Sequence, residues 1–328
     1  KSLEDIQNAL AAGASMITLD CSEHINYSAL TLEGKELNNA YTRRIGIQKE
    51  SLESKFLSSA NEVGGFSLTY SPEEWQRVYL TYADMLDFVS GIYYGAKFDQ
   101  NPNLAFEVSI DEIPNPTSAK EHYFIGSELV QRGLKIYSVA PRFVGEFQKA
   151  IDYIGDLEEF RSSLEQHIAI ARAFGYKLSV HSGSDKFRIF PSLNEISNGH
   201  FHLKTAGTSW VEALNVISQI EPDFFRRLHR SALANLESAK KYYHITENIA
   251  HIPKLETLED EELPILFDNA DARQLLHTTY GFMLNEIPEI GQESLRDGIY
   301  RILNTHEDAY YGGLKAHFDH HLKELGQL

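Results

Sequence analysis

Short apolar runs alternate with segments of helical period through the first two thirds of the chain. SLEDIQNALAAG, at 2–13, reads as a helix, with Ser2 placed to cap, Asp5 at the third turn position and Gly13 to close it. SMITLD (15–20) follows as a strand that ends in Cys21, Ser22, Glu23 and His24. LAFEVSI, LKIYSVA, KLSV and HFHLK, beginning at Leu104, Leu134, Lys177 and His200, read as four more strands. Helices separate them. One is capped by Ser118 with Glu121 and ended by Gly133. The next opens at Asp156, carries Leu157, Phe160, Leu164 and Ile168 in phase, and ends at Gly175. A third starts at Ser209 with Glu212 three residues on. This alternation predicts a parallel sheet with right-handed crossovers.

A long insertion at 22–104 interrupts the rhythm. It predicts a helix at Gln48–Ser59 and a stronger one after Ser71-Pro72, running to about Gly95 with Trp75, Val78, Tyr82, Leu86 and Val89 on one stripe. After Glu221 the pattern is helical to the end, most clearly at 223–243, 271–284 and 305–325. The predicted class is α/β, a TIM-barrel-like (β/α) barrel. Residues 1–220 are its barrel portion, and 221–328 are C-terminal helices packed on it. A closed (β/α)8 barrel needs eight strands, so N-terminal strands are expected ahead of Lys1; an open sheet complete in itself is the alternative.

Composition narrows the partners. The 328 residues are 42% hydrophobic, enough for a sizeable core. Lys and Arg number 30 against 47 Asp and Glu, a formal charge of −17. A bulk negative field repels phosphate and so disfavours nucleic acid and anionic membrane surfaces. A single cysteine, Cys21, excludes an internal disulfide framework. No apolar run is long enough to span a membrane and no signal peptide is evident. A soluble, cytoplasmic protein acting on a small molecule is expected, with a homo-oligomer left open.

The chemistry concentrates where strands end. On LAFEVSIDE, Glu107, Ser109 and Asp111 share one face, opposite Phe106, Val108 and Ile110. His181 shares a face with Ser179, and His200, His202 and Lys204 lie together on HFHLK. Glu107, His181 and His202 make a His/His/carboxylate set that suits Zn, Mn, Co or Ni, with Asp20 and His24 as competitors for the ligand roles. Asp185, Lys186 and Lys204 are candidates for acid/base work or for holding a carboxylate, with Ser182 in the same loop as Lys186. A solvated loop pair is the plainer reading of Asp185 and Lys186. Arg142 is a candidate carboxylate clamp; a salt bridge to an acidic helix is its plainer reading. Gln274 and His277, with Arg273, fall on one side of a helix. His317, His320 and His321 sit among Lys and Glu and read as a solvated helix face. No GxGxxG follows a strand and no P-loop is present, so no nucleotide cofactor is expected.

FEVSIDE, SVAPRFVGEF with AIDYIGDL, KLSVHSGSDKF, HLKTAGTSWVEAL and DARQLLHTTYG together resemble the tagaturonate/fructuronate epimerase family, which includes tagatose 4-epimerases. The resemblance runs from about Ser2 to the C-terminal helices, and members of the family are longer at the N-terminus. It implies a divalent-metal-dependent, TIM-barrel-like isomerase of bacterial hexuronate catabolism. For such chemistry Asp111 and Asp185 are the candidate bases and Lys204 the candidate oxyanion partner. Arg142, Lys186, Ser182, Gln274 and His277 are the candidate substrate contacts. A metal-dependent class II-type aldolase and a non-catalytic sugar-acid binding protein are the alternatives.

Overall fold

Five strands line up in one sheet in the order in which the sequence delivers them. In a computed structural model, which describes residues 2–205, 207–288 and 290–327, the strands are β1 (Met16–Asp20), β2 (Asn61–Val63), β3 (Phe66–Leu68), β4 (Ala105–Ile110), β5 (Ser138–Pro141), β6 (Lys177–Val180) and β7 (Phe201–Leu203). The sheet runs β1-β4-β5-β6-β7, with β1–β4, β4–β5 and β5–β6 paired in parallel. The predicted α/β class and parallel sheet are therefore present; among the described residues the sheet is open, not a closed barrel. Both faces of β4 are buried, as a parallel sheet demands: Phe106, Val108 and Ile110 on one side, Glu107 and Ser109 on the other.

The chain divides into two compact units. One comprises 1–145, 155–180 and 196–202, and the other 146–154, 181–195 and 203–328. In the first, the helices Leu3–Ala11, Pro72–Gly95 and Ala119–Gln131 each begin at a serine whose hydroxyl and third-position carboxylate close a capping box. The long helix Pro72–Gly95 buries every residue of its predicted stripe. Trp75 is sealed there, stacked on Phe56 at 4.5 Å and donating its indole N–H to Tyr41 at 2.7 Å. The insertion holds more than the apolar pattern predicts: a helix at Gly34–Ile45 and the antiparallel hairpin β2–β3. Three-residue strands are too short for alternation to mark. The legible signal was the turn, Gly64-Gly65, whose φ of 53° and 88° only glycine adopts without strain. LKIYSVA yields strand only from Ser138.

In the second unit every regular element after Glu221 is a helix among the described residues, as expected. Their core gathers Leu214, Ile217, Phe225, Leu228, Leu266 and Leu275, all fully buried. No described helix is long and apolar enough to cross a membrane.

The first unit also buries two imidazoles. His122 Nδ1 lies 2.8 Å from His167 Nδ1, and His122 Nε2 lies 2.9 Å from the Tyr176 hydroxyl. Burial pushes His167 down to about 4 and His122 well below its usual range. The unfolded chain binds protons below about 6.5, which folded His167 refuses until about 4. Stability is therefore expected to fall as pH drops through that window, by about 3 kcal/mol for His167 alone. Urea midpoints at pH 7 and pH 4.5 measure this, and the slope should flatten in His167→Gln.

Candidate active site

Register builds the polar face of the sheet. Thr18, Glu107 and Ser138 are direct partners across β1, β4 and β5, so their side chains stand in one row on one face. Glu107 is fully buried, and its carboxylate accepts from Thr18 Oγ1 at 2.9 Å and from Ser138 Oγ at 2.5 Å. His202 closes the group from β7: its Nδ1 is 2.8 Å from Glu107 Oε2 and 3.0 Å from Ser179 Oγ. A carboxylate acceptor at Nδ1 fixes the proton there and turns the Nε2 lone pair outward. Metal-ligating histidines are commonly held in this way, with the other ring N–H on a carboxylate, so the donor chemistry of His202 fits a divalent ion. Thus Glu107 and His202, read from the sequence as two members of one ligand set, meet each other directly. His181, the third member, is buried in the second unit.

A second polar cluster is built on the loops of that unit. Lys186 is fully buried, its ammonium donating to the carbonyls of Gln148 (2.8 Å), Ile151 (2.5 Å) and Ser184 (3.1 Å). Burial lowers it to about 8, with the Asp185 charge opposing. Asp185 is also buried and pairs with Arg273 at 2.9 Å. The solvated-pair reading of Asp185 and Lys186 is therefore corrected, and Lys186 ties the 148–151 loop to the 184–186 loop. Three non-glycine residues of these loops have positive φ: Ala150 (62°), Ser182 (49°) and Asp185 (59°). Strain of this kind, about 1–3 kcal/mol each, concentrates at functional loops.

The histidine-rich helix Glu307–Glu324 reaches the same cluster, and here the solvated-face reading is wrong for two of its three histidines. His317 and His321 have buried side chains, and only His320 is exposed. His321 Nε2 accepts the Asp185 N–H at 3.0 Å and Nδ1 faces the His317 carbonyl at 2.8 Å. His317 Nε2 is 2.9 Å from Thr208 Oγ1, and its Nδ1 is 3.5 Å from Glu212. The i, i+4 spacing of His317 and His321 was the available signal, masked by surrounding charge. Thr208 could not be found that way, because its hydroxyl faces His317 and leaves the helix Ser209–Ile220 without a side-chain cap. Ligand atoms of Asp185, His317 and His321 all lie within 4.8 Å of one another, so this is a possible metal triad. Each atom already has a partner in the chain, however, which fits a latch equally well. Beside it is a cavity of about 410 Å³ lined by Asp152, Asp185, Glu212, Arg273, His317 and His320 among others. His321→Ala removes the acceptor of the buried Asp185 N–H, and is expected to cost about 1–3 kcal/mol, read as a lowered urea midpoint.

The remaining candidates scatter. Asp111 is half-buried and accepts from Ser109. Arg142 donates to the Ile113 carbonyl, and its backbone pairs with Thr117. Lys204 is exposed, one residue past the end of β7 at Leu203. Ser182 accepts from Lys149 at 2.8 Å. Asp20 is exposed and takes up the Ser22 N–H and hydroxyl, and His24 stacks on Phe88 at 3.5 Å. Gln274 and His277 are buried on one helix, Gln274 donating to Gln148 at 2.9 Å.

The tagaturonate epimerase family matches residues 1–325. A tagaturonate/fructuronate epimerase of Thermotoga maritima is 38% identical over 98% of this chain and 65% of its own length. Crystal structures of a fructuronate-tagaturonate epimerase from Cohnella laeviribosi, native and with one glycerol, are 41% identical. They superpose with TM-scores of 0.93 and 0.94 over 99% of this chain and 66% of theirs. The chain thus spans about two thirds of the length of these relatives. The chain belongs to the tagaturonate epimerase family.

Proposed function

We propose that the chain carries the reaction its family is named for, the interconversion of D-tagaturonate and D-fructuronate, with tagatose and fructose as further substrates differing at C4. The match over residues 1–325 carries the reading. The first unit's sheet supports its fold half: neighbours in the sheet are neighbours in sequence with no reversal of order. That is how strands wind in a (β/α) barrel, whereas a doubly wound sheet reverses at a switch point.

The two sugar acids differ at a carbon β to the ketone, whose C–H that carbonyl does not acidify. Inversion by retro-aldol cleavage avoids the difficulty. A base takes the proton of the hydroxyl on the inverted carbon, and the bond from that carbon to its neighbour beside the ketone breaks. The electron pair passes into the enediolate of dihydroxyacetone, leaving tartronate semialdehyde. Rotation of the aldehyde and re-attack on its other face restore the bond with inverted configuration. Asp111 is the better candidate base, because Asp185 is already ion-paired to Arg273. A divalent ion of the kind the family resemblance implies would be held by His202, with Glu107 behind its ring, and would supply Lewis acidity. Supplying D-tagaturonate to the intact protein should yield D-fructuronate; no conversion, with or without added Zn, Mn, Co or Ni, overturns the reading.

A further inference from the structure

Hydrogen-bond accounting singles out a residue that no motif marks. Gln148 is 4% exposed, and its Oε1 accepts three donors: Gln274 Nε2 at 2.9 Å, the Thr246 N–H at 3.0 Å and the Thr246 hydroxyl at 3.0 Å. The backbone N–H can only donate, so the amide cannot be turned over; its NH2 is fixed on the other side. That Nε2 is buried and has no hydrogen-bond partner among the described residues. Leaving such a donor unmade is costly in a folded protein and calls for an explanation at each site.

A second buried nitrogen, on the helix that carries Gln274, shares the condition. His277, 7% exposed and one turn beyond Gln274, has a buried Nδ1 without a partner among the described residues. Its ring is held in place by Gly207, where an added Cβ would come within 2.5 Å of Cε1. Burial, and next the Lys149 charge, keep it neutral, at about 4. Lys149 follows Gln148 in the chain and donates to Ser182, and the strained Ala150 comes next. Two buried nitrogens without partners among the described residues, on a loop and a helix joined by the Gln148–Gln274 hydrogen bond, suit an oxygen-rich ligand.

We infer that Gln148 is a substrate-binding residue, its Nε2 donating to an acceptor oxygen of the sugar acid, with His277 Nδ1 as the neighbouring contact. This rests on the proposed function, and the test separates the two. Gln148→Glu keeps an oxygen for Thr246 and Gln274 but exchanges the NH2 for an oxygen. Gln148→Met removes both halves of the amide. With D-tagaturonate as the probe, each variant that folds should raise KM at least tenfold with kcat within about threefold of wild type, and Gln148→Glu should melt within a few degrees of it. A purely structural role would lower the melting temperature and leave KM unchanged in the folded fraction. A folded variant with wild-type KM overturns the inference alone. A wild-type protein that neither binds nor converts D-tagaturonate overturns the functional reading and this inference with it.

Discussion

His202→Ala is expected to lower kcat/KM for D-tagaturonate by about a thousandfold or more, roughly 4 kcal/mol of transition-state stabilisation, while the fold survives. The side chain is partly exposed, so its loss opens no sealed core, and Glu107 retains Thr18 and Ser138 as donors. What disappears is the Nε2 lone pair that the Glu107 contact turns outward. Metal analysis of the same variant separates two donor sets. If His202 is a ligand, His202→Ala is purified without the ion, whereas His317→Ala keeps it. The opposite result would move the metal to Asp185, His317 and His321. Turnover within tenfold of wild type would remove His202 from the chemistry altogether.

Glu107→Ala should be worse, because it strikes stability and activity together. The carboxylate is fully buried and takes donors from three strands besides its own, Thr18, Ser138 and His202. Truncation leaves those donors facing a cavity, and a loss of about 3–5 kcal/mol is expected. Glu107→Gln keeps the volume but cannot accept at both ends. It should fold, and lose turnover by about a hundredfold or more through the wrong His202 tautomer. Chemical denaturation paired with steady-state kinetics measures both parts. A Glu107→Gln enzyme with normal kcat would show that the carboxylate serves the fold alone.

The sheet was legible because its strands end in chemistry. Alternation on LAFEVSIDE separated Glu107 from Phe106 and Val108, and the structure keeps that separation. Capping boxes at Ser2, Ser71 and Ser118 were equally readable, since the partner lies three residues away. What the sequence hid are contacts with large separations. The meeting of Glu107 with His202 crosses 95 residues and depends on the order of strands in the sheet. His321 on Asp185 crosses 136, and Gln148 declares itself only through Thr246 and Gln274. For Lys186 the sequence left a substrate contact and a solvated loop pair both open, and only the three backbone carbonyls that bury it remove the second reading.

The central claim is inversion by C–C cleavage, and the reaction in D2O tests it most directly. D-tagaturonate converted in D2O should give D-fructuronate whose inverted carbon still carries protium, because its hydrogen stays on the aldehyde throughout. Free tartronate semialdehyde with dihydroxyacetone should be condensed by the same enzyme, which a redox route could not do. NMR of the product reads both. Protium at the inverted carbon together with condensation is the predicted result, and deuterium at that carbon would contradict it.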